Sequence, residues 1–165
     1  MDTLSSYTFT WTDPRELQRA IAGKPQMEWI RGIMNGDTPA PPLGSAFGYV
    51  CELAEPGHII FSVPAHAWAS NPAGVVHGGF TATLLDTVLT LAVQSKVPDG
   101  RMATTTDLHV HLVRPALPDG RLLRAEATAV HVGTNLGTSE GRVTDAAGRL
   151  IAHGTGSFAV ISLPG

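Results

Sequence analysis

The sequence predicts an α+β fold in which an antiparallel sheet wraps around one long central helix, with an N-terminal helical extension in front. Three observations predict it. Two strand-like runs precede a single apolar helix and four more follow it. Hairpin turn signals separate the later runs, and meandering strands form antiparallel sheets. The helix is the only long apolar element available to cover the sheet's buried face. A chain of 165 residues suits one domain, and 43% hydrophobic residues can fill one core. We divide it into a helical extension, residues 1–44, and a sheet domain, residues 45–165.

The elements follow in order. Asp13-Pro14-Arg15-Glu16 combines an N-cap, a first-turn proline and a glutamate three after the cap. Residues 14–22 and 26–34 therefore predict two short helices, punctuated by Gly23 and Pro25. Residues 35–44 hold three prolines and two glycines and predict a loop. From Ala46 the pattern turns strand-like: 46–54 and 58–63 are strands, joined by the turn Glu55-Pro56-Gly57. A Pro/Gly-rich segment at 64–76 leads into the helix at about 78–94. Strands are expected at 102–113, 121–132, 136–144 and 149–161. Pro118-Asp119-Gly120, Gly133-Thr134-Asn135 and Asp145-Ala146-Ala147-Gly148 supply the turns.

Composition removes several function classes. A net charge of -3, with 11 scattered Lys and Arg, gives no footprint for nucleic acid or an anionic membrane. The one cysteine, Cys51, rules out a disulfide within the chain and suits a reducing compartment. Met1-Asp2-Thr3-Leu4 lacks the basic start and apolar run of a signal peptide. The apolar stretch 80–93 is interrupted by Thr81, Thr83, Asp86, Thr87 and Thr90 and is too short to span a bilayer. A cytoplasmic protein is expected.

The central helix carries the main chemical signal. Phe80, Leu84, Val88 and Leu91 fall within about 80° of one another, so that stripe is predicted to face the sheet. Ala82, Leu89 and Val93 are predicted on the opposite side, with Thr83, Asp86 and Thr90 beside them. Residues 78–95 contain no Lys, Arg or Glu, which leaves Asp86 as the helix's only formal charge. A helix apolar on both sides is buried on both sides, so a second subunit is expected over the far face. A lone carboxylate there is costly unless hydrogen-bonded, which marks Asp86 as a candidate functional group. The plainer reading is a structural Asp bonded to nearby threonines, or an exposed one.

The string Asn71-x-x-Gly74-x-x-His77-Gly78-Gly79-x-x-Ala82-Thr83-Leu84-x-Asp86 resembles the PaaI-like hot-dog acyl-CoA thioesterases. The resemblance continues through Thr104-Thr105-Thr106-Asp107-Leu108 and Arg114-Pro115-Ala116. It closes on Asp145-Ala146-Ala147-Gly148-Arg149-Leu150-Ile151-Ala152 and covers roughly residues 45–160. It implies a hot-dog fold, a homodimer or dimer of dimers, and hydrolysis of an acyl-CoA thioester to free acid and coenzyme A. No cofactor is implied, since coenzyme A is part of the substrate. By the same resemblance, the Gly78 backbone N–H polarises the thioester carbonyl and Asn71 assists. Asp86 acts as general base or as nucleophile. Thr105 stands near the water and His77 orients the loop or the carbonyl. Gly79, Thr83 and Arg114 contact substrate. A basic residue common after the glycine of the fourth-strand turn is missing here, where Thr134-Asn135 follow Gly133. The coenzyme A phosphates then fall to Arg101, Arg114 or Arg124. The acyl group stays open among aryl-acetyl, medium-chain and long-chain. A non-catalytic acyl-CoA-binding hot-dog module is the alternative.

Geometry adds an expectation of its own. Gly78 and Asp86 are eight residues apart, roughly 12 Å along a helix. A reacting carbonyl must lie about 3 Å from its oxyanion donor and close to the base. One helix cannot offer both, whereas two antiparallel helices from two subunits can. Composite sites at a dimer interface are expected, with Gly78 from one chain and Asp86 from its partner.

Rival signals are weaker. Gly137-Thr138-Ser139-Glu140-Gly141 matches a nucleophile elbow, but that motif needs a helix to follow and here a strand does. His109 and His111 share one face of a strand, with His131 on the next strand as a conceivable third metal ligand; no metal is expected. Cys51 reads as core packing. Trp11, Met27 and Trp29 read as packing residues that could also line an acyl pocket. Hot-dog dehydratases use a Pro-rich His segment that is absent here.

Overall fold

The computed structural model describes residues 4–162. The Met1-Asp2-Thr3 part of the leader reading lies outside the described residues. Three helices come first: α1 (Pro14–Ile21), α2 (Gln26–Asn35) and α3 (Pro42–Phe47). Then follow β1 (Val50–Glu55), β2 (His58–Pro64), α4 (Gly78–Gln94), β3 (Arg101–Leu112), β4 (Leu122–Val132), β5 (Leu136–Thr144) and β6 (Leu150–Ser162). All strand pairs are antiparallel, in the order β1-β2-β4-β5-β6-β3. The sheet wraps α4, which is the hot-dog arrangement that the resemblance implied. No helix among the described residues is long and apolar enough to cross a membrane.

The local signals act as chemistry requires. The Asp13 side chain accepts from Arg15 N at 2.8 Å and caps α1. Gly36 closes α2 at φ 82°, a left-handed conformation that glycine adopts without Cβ strain. The loop expected over 35–44 is shorter than predicted, because Pro42 starts a helix rather than preventing one. Proline at the first turn forfeits only an N–H that has no intrahelical partner. The strand expected from Ala46 accordingly begins at Val50.

The helix face also differs from the expectation. Leu89 and Val93, placed on the side away from the sheet, are fully buried within the chain. The reason lies in the strands. A Cβ on Gly137 would strike Val93 Cγ1, one on Gly141 would come within 3.2 Å of Leu89 Cδ2, and one on Gly154 within 3.0 Å of Leu85 Cδ2. These glycines let α4 sink into the sheet, which then covers more than half its circumference. The half-exposed strip that remains carries Ala82, Thr83, Asp86, Thr87 and Thr90.

A buried polar cluster fastens α2 to this core. Gln94, at the end of α4, donates to Gln26 Oε1 at 2.6 Å and to Arg101 O at 3.1 Å, and accepts from Ala103 N at 2.7 Å. Gln26 donates to Pro98 O and Arg101 O, and its carbonyl also accepts from Trp29 Nε1 at 2.9 Å. Satisfied amides of this kind cost little to bury and fix one geometry.

Candidate active site

The chain enters α4 through a turn built by Asn71. Its Oδ1 accepts from Ala73 N at 2.9 Å and Val75 N at 3.4 Å. His77 is the N-cap, and its Nδ1 accepts from Gly79 N at 2.9 Å. Because Nδ1 accepts, the ring carries its proton on Nε2. A Cβ on Gly79 would sit 3.0 Å from that Nδ1, so a bare glycine lets the imidazole fold over the helix start. The N–H groups of Phe80 and Thr81 point to His77 O at 3.0 and 3.4 Å. Of the first-turn donors, only the Gly78 N–H has no acceptor among the described residues. A free N–H at the positive end of a helix is suited to an oxyanion.

Two turns on, Asp86 leaves the helix on the half-exposed strip. Thr105 Oγ1 donates to Asp86 Oδ1 at 2.9 Å, and Thr90 Oγ1 lies 3.3 Å from Thr105 Oγ1. Thr105 is delivered by β3, whose register shifts between Thr105 and Asp107; such bulges re-aim side chains. Thr83 and Thr87 spend their hydroxyl protons on Gly79 O and Thr83 O. Asp86, Thr87, Thr90, Thr104 and Thr105 line one side of a cavity of about 400 Å3. Tyr49, which the sequence did not single out, stands in its wall with a buried hydroxyl that has no partner among the described residues. Burial raises this phenol well above its ordinary value, the nearby Thr87 hydroxyl offsets part of the rise, and the charge of Asp86 adds to it. No signal marked Tyr49, because its neighbours on α4 are nearly forty residues away in sequence.

Within one chain the expected site residues fall into separate groups. Asn71, Gly78 and Arg114 line a cavity of about 260 Å3. His77, Gly79 and Thr83 line another of about 300 Å3 beside Trp68 and Phe80. Asp86 and Thr105 line the third, and none of the other expected residues reaches it. β3 is an edge strand with one side unpaired among the described residues.

Of the three arginines considered for phosphates, Arg124 is held by Glu52 at 3.0 Å and Glu126 at 3.6 Å. Arg101 donates to Val160 O at 2.6 Å. Arg114 donates to Leu150 O and makes no ion pair among the described residues. The rival motifs resolve as packing. Ser139 is buried in β5 and donates to Leu89 O at 2.9 Å. His131 cannot join His109 and His111, because β5 and β6 lie between β4 and β3. Instead His109 pairs with Asp107 at 2.9 Å and His111 stacks on His153. Burial pushes the Cys51 thiol up to about 11, so it is a thiol and not a nucleophilic thiolate near neutrality. Trp29 is buried and lines the large cavity, whereas Trp11 is 61% exposed and does not.

Comparison with known proteins agrees with this architecture. The family model described as "Thioesterase superfamily" matches residues 73–152. An inferred esterase of Halobacterium salinarum is 39% identical, over 70% of this chain and 82% of its own. Human acyl-coenzyme A thioesterase 13 is 31% identical, over 76% of this chain and 89% of its own. A Bacillus halodurans protein solved with CoA is 33% identical with a TM-score of 0.70, covering 91% of this chain and 94% of its own. Motif, fold and relatives converge: the chain belongs to the thioesterase superfamily and is a thioester hydrolase.

Proposed function

We propose that the protein hydrolyses acyl-CoA thioesters, with Asp86 activating water and the Gly78 N–H of the partner subunit holding the oxyanion. One observation carries the reading. α4 offers a single open N–H at its start and a single carboxylate on its half-exposed strip, too far apart to act on one carbonyl. Pairing two copies through the unpaired edge of β3 would run the two α4 helices past each other and bring the groups together. Coenzyme A in the Bacillus halodurans relative supports the choice of thioester.

The chemistry then runs as follows. Thr105 occupies Asp86 Oδ1, which leaves Oδ2 free to take a proton from water. The water oxygen attacks the carbonyl carbon, and the resulting oxyanion rests at the partner's Gly78 N–H. The C–S bond breaks as the carbonyl re-forms. Asp86 returns its proton to the departing thiolate, giving free acid and coenzyme A. Asn71 and His77 hold the loop that presents Gly78. Arg114 meets coenzyme A phosphate, supported by its having no ion pair among the described residues and by its place beside Gly78 and Asn71. Gly79 and Thr83 border the substrate path. If Asp86 instead attacks directly, displacing the thiolate, a mixed anhydride forms; water attacking its Asp86 carbonyl carbon would leave 18O in Asp86 after one turnover in 18O water, whereas general-base hydrolysis labels only the free acid.

The deciding assay compares wild type with Asp86→Asn on a panel of acyl-CoA thioesters. Turnover by wild type and a loss of about 10²- to 10⁴-fold in kcat for Asp86→Asn are expected. Full activity in Asp86→Asn would remove Asp86 from the chemistry. Saturable binding without turnover by wild type would favour a non-catalytic acyl-CoA-binding module.

A further inference from the structure

The cavity beside Asp86 has a second wall that the family match does not include. Leu17 and Ile21 of α1, Trp29 and Ile33 of α2, and Leu43 of α3 close it opposite the threonines. All lie before residue 73, where the family model begins. α1 buries no residue completely, yet it turns Leu17 and Ile21, one helical turn apart, toward this space. α2 is pinned in place by Gln26 and Gln94. Asp86 is the only charged residue among those lining the cavity, and at about 400 Å3 it falls within the range of small-molecule pockets.

From this the geometry points to a substrate class: the N-terminal helices form the acyl pocket of the Asp86 protomer and select uncharged, apolar acyl groups. The inference rests on the hydrolase reading above. The apolar wall gains by burying methylenes or an aryl ring. A carboxylate at the far end of the acyl group would enter a largely apolar space with no cation to meet it and with Asp86 at the mouth. Chain length is then set by α1–α3 and not by the residues that carry the chemistry.

The test measures kcat/KM of the full chain for acetyl-, octanoyl- and octanedioyl-CoA, the last bearing a free terminal carboxylate. Octanoyl-CoA should exceed each of the others by about tenfold or more. Ile33→Trp fills the cavity, and Leu43→Asp charges its wall at a position 50% exposed that tolerates polarity. Both should lower the octanoyl-to-acetyl ratio by about tenfold or more. Met34→Trp, on the same helix but outside the cavity, should keep the wild-type ratio. An unchanged ratio in both Ile33→Trp and Leu43→Asp overturns the proposal. So does a Leu43→Asp chain that sediments as a smaller species with its ratio intact, since the cavity would then be a subunit contact. If no thioester is turned over, the hydrolase reading fails by itself, and the same ratios are read from acyl-CoA affinities by calorimetry.

Discussion

In the proposed reaction, Gly78 is where backbone and chemistry meet most directly. Proline at this position would remove the one free N–H and keep the first helical residue in a conformation proline favours. His77, at φ -61° and ψ 135°, already has the extended backbone that precedes a proline. The added ring would press on Leu112, a half-exposed side chain able to move. Gly78→Pro should therefore keep its circular dichroism and melting point close to wild type while kcat falls about 10²- to 10³-fold. Mixing it with Asp86→Ala probes whose glycine serves whose aspartate. Random pairing leaves one intact site in each mixed dimer, so about a quarter of wild-type activity should return. No recovery, with subunit exchange verified, would place both groups in one chain.

At the scale of elements, the docking of α2 against the end of α4 depends on two amides. Gln94→Ala would strand the Ala103 N–H in a buried place and take one of two donors each from Arg101 O and Gln26 Oε1, which keep Gln26 and Trp29 as partners. A loss of about 2–4 kcal/mol in urea unfolding is expected, with α2 loosening first in hydrogen exchange. Nothing in the sequence announced this cluster. Gln26 and Gln94 are ordinary helix residues until the fold places them side by side. The same holds for the glycines of β5 and β6. As a string, Gly137-x-Ser139-x-Gly141 suggested a nucleophile; as a surface, it is a trough for Leu89 and Val93. The period of α4 was legible, but its rotation was not, because rotation depends on which strand residues lack side chains.

For the molecule as a whole, the sequence conveyed the element types, the antiparallel sheet and the wrapped helix, since turn chemistry and the switch in hydrophobic period are local. It conveyed the candidate site residues too, but only through their likeness to a family. The charge pattern singled out Asp86 as a candidate beside a plainer structural reading, and helix geometry argued against a one-helix site only for the roles that the resemblance implies. Strand order was not legible, and with it went the separation of His131 from His109. Acid stability is also a whole-chain property, and Glu126 is one of the carboxyls that contribute to it. His58 first, then Arg142 and Arg124, hold its carboxyl below the usual range. A carboxyl depressed by folding stabilises fully above its unfolded value near ~4.3 and loses that contribution as pH falls through the folded one. Glu126→Gln should cost up to about 1 kcal/mol at pH 7, and the gap from wild type should close below about pH 4 in urea titrations.

The large cavity has two owners: α4 and β3 supply its acid and hydroxyls, and the helices before residue 48 supply its grease. Gln26 bonds α4 and β3, but the cavity-facing side chains of the second group can be swapped or resurfaced without touching the groups that hold Asp86. On the proposed acyl pocket, a lineage carrying this scaffold can thus retune its diet through the front of the gene while its reaction stays fixed, and laboratory libraries confined to Leu17, Ile21, Ile33 and Leu43, which spare the buried Gln26, Trp29 and Ile30, should explore that freedom with few dead variants.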